Sequence, residues 1–369
     1  MAFFGTTIET IESISPIPKA DRIEVATLEG LSFRVVVGKG QYEVGDKVIY
    51  FPVDSLLPKW ILKELSLEGK LSGPEQNRVK SVKLRGQVSQ GLIAPTDLLL
   101  KVSFDVGNTI RSYFLGHEKA TDLTEVLGVE KYQPPVIPCQ TADLVALPDG
   151  LGKYDIEGAE RNQAILELLL DREVEVTEKV EGANFSVTFL YEHGEACVNQ
   201  RNHGIKPIEG ATHDFWKVAN QSGLLTLVAR LGEAFEEDVT IYGEFIGPGY
   251  QNNIYKLDEH EVRVYDIKVG EGFMTPHRRI ETLRAHEESI GAIHVPIDCN
   301  SDDCRTTNTL REWLGGRTIV EASYGKSRIN PDVLREGIVI KPAEEEYIEG
   351  FGRLILKQRD PIYLSNTEA

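Results

Sequence analysis

From about residue 1 to 105 the apolar positions fall in short β-branched and aromatic runs broken by turns. Phe33-Arg34-Val35-Val36-Val37-Gly38-Lys39-Gly40 and Lys47-Val48-Ile49-Tyr50-Phe51-Pro52-Val53 flank Tyr42-Glu43-Val44-Gly45-Asp46, whose Gly-Asp end marks a turn. From Val79 to Leu84 apolar and basic residues alternate, which predicts a strand with one wet, positive face. Gly86 to Pro95 predicts another turn-bounded strand. So many short strands predict a small all-β barrel, and an OB-fold fits the length. From about residue 106 to 160 the character changes, and the domain boundary is expected between 130 and 160. A short helix is predicted over Asp122–Gly128, then an extended Pro-rich linker through Tyr132-Gln133-Pro134-Pro135-Val136-Ile137-Pro138.

From Glu173 onward the two periodicities mix. Strands are predicted at Val174–Lys179, Ser186–Tyr191, Val239–Phe245, Val262–Ile267, Gly337–Lys341 and Arg353–Lys357. Helices are predicted over about 214–230 and 278–288. That is an α+β domain with mostly antiparallel strands. The boundaries expected are 1–130 for the OB-fold with the start of the linker, 131–160 for the linker, and 161–369 for the second domain.

Composition narrows the class. The 369 residues are 41% hydrophobic and 27% charged, which suits a globular protein of two domains. No apolar run approaches the roughly 18 residues of a membrane span. The first residues lack a basic stretch ahead of an apolar one, so no signal peptide is expected. Four cysteines argue against a disulfide framework, and a cytoplasmic location is expected. Net charge of −18 excludes a protein that coats nucleic acid indiscriminately, but leaves room for a local basic groove. Two basic patches could form one. The first contains Lys80, Lys83 and Arg85; the second runs from Arg353 to Arg359. Cys299 and Cys304 are too loosely spaced, with no second pair, to predict zinc.

The candidate chemistry centres on Lys179-Val180-Glu181-Gly182. Lys-x-x-Gly alone is commonplace, but the residues downstream of it are less so. A lysine that attacks a phosphate needs its proton removed, for which neighbouring cations are expected. It also needs cations on the phosphates, and carboxylates for a divalent metal. The chain supplies, in order, Arg201, then Glu244 in a strand, Tyr265 suited to stacking on a base, Glu336 at a strand start, and Lys357 with Arg359 on one strand face.

This order resembles the covalent nucleotidyltransferase superfamily of DNA ligases, RNA ligases and mRNA capping enzymes. The resemblance implies that Lys179 is the nucleophile that takes up AMP, with Glu178 and Gly182 beside it. Arg201 is implied to contact ribose or phosphate, Glu244 the ribose, and Tyr265 the adenine. Glu336, in Glu336-Gly337-Ile338-Val339, is implied to organise the metal, and Lys357 and Arg359 to handle the α-phosphate. Glu181 stands where many members have Asp. The fold implied is the ATP-grasp-like ligase catalytic fold.

Capping enzymes and most DNA ligases carry an OB domain after these motifs, whereas here the small barrel comes first. With Pro18-Lys19-Ala20-Asp21-Arg22-Ile23 and Lys83-Leu84-Arg85-Gly86-Gln87, that arrangement is similar to the RNA ligases of the Deinococcus and Naegleria type. The resemblance implies an ATP-dependent RNA ligase that uses Mg²⁺ or Mn²⁺ and acts on RNA nicks or ends in repair. Lys80, Lys83 and Arg85 are expected to meet the RNA, and a monomer is the default expectation. The alternatives are a DNA ligase of the same superfamily and a non-catalytic RNA-binding module.

Overall fold

The computed structural model describes residues 4–102, 122–133, 141–286, 293–297 and 309–367. Two compact units emerge, one of residues 2–136, 160–163 and 364–369, the other of residues 137–159 and 164–363.

The first unit is built on an antiparallel sheet of β1 (Thr7–Pro16), β2 (Ile23–Leu28), β3 (Leu31–Gly38), β4 (Lys47–Phe51) and β7 (Leu92–Pro95), in the order β3-β2-β1-β4-β7. The apolar run of β4 serves both faces. Val48 and Tyr50 pack with Ile11, Leu28 and Val35 on one side. Ile49 and Phe51 pack with Leu57, Ile61 and Leu127 on the other. A strand buried on both faces must read as continuously apolar, as β4 does. The predicted short helix appears as Thr124–Leu127.

The basic strand departs from expectation. It is shortened to β5 (Val82–Leu84), paired with β6 (Gln87–Ser89) through an Arg85-Gly86 turn in which both residues have positive φ. Lys83 and Arg85 are exposed, but so are Val82 at 41% and Leu84 at 42%. Among the described residues, Ser89 of β6 is buried and bonds the Val36 backbone N–H of β3, whereas all three residues of β5 are exposed, so β5 shows no wet and dry side.

In the second unit, two sheets share the work. The larger has eight strands: β8 (Ala142–Val145), β13 (Gly204–Pro207), β12 (Glu195–Gln200), β11 (Ala183–Leu190), β14 (Val239–Ile246), β15 (Glu261–Val269) and β16 (Gly272–Phe273) in that order, with β17 (Ile293–His294) against β15. Its core takes in α1 (Asp214–Gln221) and α2 (Leu224–Phe235). The single helix expected over 214–230 is two, because Gly223 adopts φ +71° and ends the first turn set. A further helix, α3, spans Pro276–Ala285.

The smaller sheet runs β9 (Glu157–Gly158), β19 (Leu356–Arg359), β18 (Gly337–Pro342) and β10 (Val174–Lys179). Most pairings in both sheets are antiparallel; β9–β19 and β15–β17 are parallel.

The expected linker 131–160 therefore contributes structure. Ala142–Val145 pairs with β13, and Glu157 pairs with Leu356. Four residues, Ala142-Asp143-Leu144-Val145, beside a Pro-rich run carry too little signal to predict as a strand; pairing at the edge of a large sheet supplies what the local sequence lacks.

Candidate active site

Lys179 ends β10, where its register partner on β18 is Gly337. That pairing brings Glu336 beside it, and Nζ lies 2.5 Å from Glu336 Oε2. Two glycines make the approach possible. A Cβ on Gly182 would sit 2.5 Å from the Phe245 carbonyl oxygen and 2.9 Å from Glu244 Cγ. Only Gly lets the turn after Lys179 lie on β14 and place Glu244 alongside. A Cβ on Gly337 would collide with the Gln358 carbonyl, so Gly is also required where β18 meets β19.

The two sheets enclose a cavity of about 340 Å³. Of the residues singled out by sequence, Lys179, Glu178, Gly182, Arg201, Glu244, Tyr265, Glu336 and Lys357 line it. Arg359 is not among the lining residues; it pairs in register with Gly337, and its Nε is buried with no hydrogen-bond partner. Glu178 turns its Oε2 to the Arg328 backbone N–H at 2.8 Å, while Oε1 is buried and unpartnered. Tyr265 accepts a hydrogen bond on its hydroxyl from Asn184 Nδ2 at 2.8 Å. Lys80, Lys83 and Arg85 belong to the other unit.

The electrostatics reverse one expectation. The lysine is ringed by acids as well as by cations. Burial would lower the pKa of Lys179, but Glu336, then Glu244 and Glu181, outweigh it and raise the value. The acids respond in turn. Burial pushes Glu244 up to about 8, although Lys179 opposes the shift. Burial and the charge of Glu336 push Glu181 up to about 7. Around neutral pH this cluster holds protons that carboxyls ordinarily release, so the site carries more negative capacity than its own cations neutralise. Such a donor set fits a divalent cation. Among the described residues no three acidic or imidazole groups form a cage for a metal on their own. Mg²⁺ commonly takes one or two carboxylates and completes its shell with water and substrate phosphate.

A family model described as RNA ligase matches residues 172–359, just over half of the chain, and one described as an OB-fold domain matches residues 5–96. This chain belongs to the RNA ligase family. Solved structures of an RNA ligase of Naegleria gruberi are similar to this RNA ligase over nearly the whole length. An apo variant aligns at TM-score 0.77 and 25% identity over 99% of both chains. A variant with AMP and Mn aligns at TM-score 0.75 and 25% identity over 98% of both, and one with ATP and Mn at 0.74 and 25% over 98% of both. No curated protein sequence matches. Among the described residues of the ligase, no helix is long and apolar enough to cross a membrane.

Sequence reading missed several groups in the ligase's cavity. Tyr154, Asp155 and Ile156 line it from the segment predicted as linker, ahead of the 172–359 match. Lys341 lines it from β18, where burial lowers its amine to about 8 against the pull of Asp266. The run Glu336-Gly337-Ile338-Val339-Ile340-Lys341 carried a usable signal, because strand alternation puts Val339 and Lys341 on one face. Arg353, counted in the second basic patch, is paired internally and adds no free charge to a groove. It bonds Asp266 Oδ2 at 2.6 Å and Glu345 Oε1 at 2.5 Å, with its side chain 11% exposed. Burial opposes the ionised form of Asp266, but Lys341 and Arg353 prevail and hold it down at about 2.

The raised carboxyls have a consequence for the metal-free ligase. A group whose folded pKa lies above its ordinary value near 4.5 binds more protons when folded, so it stabilises below 4.5 and loses that stabilisation as pH rises through the folded value. For Glu244 the loss runs from about pH 4.5 to about pH 8. In chelator, the melting temperature of wild type should drop by a few degrees more across that window than that of Glu244→Gln. Parallel curves would refute the assignment, since general self-repulsion is common to both proteins.

Proposed function

We propose that this RNA ligase is ATP-dependent and works through an AMP adduct on Lys179, joining 3′-OH and 5′-phosphate RNA ends in repair. The observation that carries the reading is the Lys179–Glu336 contact at the meeting of two sheets, inside a cavity that Arg201 and Lys357 also line. The related Naegleria enzyme has been solved with ATP and Mn and with AMP and Mn.

Each side chain then has a task. Tyr265 offers a face to adenine, and Arg201 and Glu244 meet the ribose and phosphate. Lys357, with Arg359 on the same strand face, draws charge from the α-phosphate. Glu336 would hold Mg²⁺ or Mn²⁺, with Glu181 and Glu244 beside it; the bound cation matches the acids' charge, so that burial drives the lysine amine towards its neutral form. Nζ attacks the α-phosphorus. The N–P bond forms as the bond to the departing pyrophosphate breaks, and the amine loses its proton. A 5′-phosphate oxygen of the RNA next takes AMP from Lys179, returning the lysine. Finally a 3′-OH attacks that 5′-phosphate, and AMP leaves as the phosphodiester closes.

Lys80, Lys83 and Arg85 are assigned to RNA phosphates, on the strength of the exposed Lys83 and Arg85 of the β5–β6 hairpin, with half-buried Lys80 just ahead of it. The four cysteines support a reducing cytoplasmic setting, and we assign a monomer as the working form. The test is sealing of nicked duplexes with ribose or deoxyribose on each side of the nick. Sealing should require ribose at the 3′-OH end; equal sealing of all-DNA nicks would move the protein to the DNA ligase branch. In the same assay Lys83→Ala/Arg85→Ala should weaken RNA affinity and flatten its salt dependence by about two phosphate contacts. Unchanged affinity in raised salt would remove the hairpin from the interface.

A further inference from the structure

We infer that Tyr154 and Asp155 are positioning residues of the nucleotide site, holding Tyr265 and Arg201 in place from a segment that lies outside both matched family regions. The inference rests on the assignment of the cavity to ATP. The two model matches cover residues 5–96 and 172–359, yet the cavity is closed along one wall by residues 154–156.

Both side chains are fixed, and by different partners. The Tyr154 hydroxyl donates to Asp266 Oδ2 at 2.6 Å and accepts from Arg353 Nη1 at 3.1 Å. Its ring lies 5.0 Å from that of Tyr265 and 4.9 Å from that of Tyr242, so it backs the face expected to meet the base. At 5.0 Å the two rings touch, and no base can enter between them. Tyr154 therefore supports Tyr265 without sandwiching the nucleotide.

Asp155 faces the other way and pairs with the guanidinium of Arg201. The Asp155 side chain is 9% exposed and that of Arg201 is 54% exposed. The acid is anchored while the cation reaches towards the opening. Arg201 lies just past the end of β12 and has no strand partner of its own to limit where its long side chain lies. A carboxylate that grips one edge of the guanidinium leaves the remaining N–H donors free for a ribose or phosphate oxygen. Asp155 thus acts through Arg201 and touches no reacting atom.

The test is a double-mutant cycle in the full-length protein, read as the rate of protein–AMP formation against ATP concentration. Asp155→Asn should raise KM for ATP roughly fivefold with kcat little changed, the size of effect that a half-exposed ion pair can transmit. Asp155→Glu should recover part of the loss. In an Arg201→Gln background, Asp155→Asn should add nothing, because the group through which it acts is gone. Additive effects, or an unchanged KM, would overturn the inference. So would a matched fall in melting temperature and kcat at constant KM, which marks a purely structural residue. Tyr154→Phe keeps the ring and removes both hydroxyl bonds; a raised KM for ATP is expected, and a wild-type KM would restrict the inference to Asp155. If wild type itself forms no labelled protein, the assignment of the cavity to ATP fails, a result distinct from additivity in an active enzyme.

Discussion

Lys179→Ala protein incubated with radiolabelled ATP and Mg²⁺ should remain unlabelled on a denaturing gel. Wild type should carry label that survives denaturation, as a covalent N–P bond does and a bound nucleotide does not. The expected effect is complete, because no other side chain at that position of the cavity can supply an amine. Lys179→Arg should fail equally, since a guanidinium keeps its charge and offers no lone pair near neutral pH. The experiment also discriminates between two lysines. Lys341 lines the same cavity, and burial lowers its amine to about 8. By that criterion alone it is the readier nucleophile. Its Nζ, however, donates to the Tyr265 carbonyl at 2.5 Å and pairs with Asp266 Oδ2 at 3.2 Å, with the side chain 4% exposed. A lysine so occupied is a strut. Label that persists in Lys179→Ala and vanishes in Lys341→Met would reverse the assignment.

The second large effect is on stability. Arg279→Met should destabilise the protein by about 3–5 kcal/mol, the usual cost of leaving one charge of a buried pair alone. Arg279 and Glu175 are both fully buried, with Nη2 2.6 Å from Oε1 and Nη1 3.2 Å from Oε2. Replacing both, as Arg279→Met/Glu175→Leu, should recover most of the loss, because apolar residues of similar volume stand in for a desolvated pair at little net cost. Denaturant unfolding of the two variants checks this, and a double variant no better than the single would count against it. The pair also serves the site. Arg279 Nη1 donates to the Tyr265 carbonyl at 3.0 Å, the same oxygen that Lys341 holds. The recovered double variant should accordingly still bind ATP less well than wild type.

How much the sequence reveals depends on which interactions are local. Lys179, Glu244, Tyr265, Glu336 and Lys357 are legible because each sits in or beside a strand whose alternation shows, and because their order is that of a known family. Asp155 is not legible. Its partner Arg201 lies 46 positions away, and nothing in Lys153-Tyr154-Asp155-Ile156 distinguishes a cavity wall from a linker. Arg353 misleads for a similar reason: a basic residue near Lys357 and Arg359 reads as part of a basic groove until Asp266 and Glu345 are seen against it. The break at Gly223 is present in the sequence as Ser222-Gly223, but an apolar period that continues through it favours one helix over two. The acids around Lys179 are each visible along the chain, yet their combined pull on its proton exists only once three distant strands converge.

The strand that carries Lys179 has its hydrogen-bonding partner far along the chain, with 157 positions between the lysine and Glu336. On a ribosome adding roughly 5–20 residues per second, that interval lasts on the order of ten to thirty seconds. For that time the lysine strand is without its β18 neighbour, while the sequence of the larger sheet through β16 is completed before β18 is made. The reactive centre is thus the last part of the catalytic unit that can be assembled, and a nascent chain interrupted before β18 is synthesised has a complete scaffold for the ribose contacts and no means of capturing a nucleotide covalently.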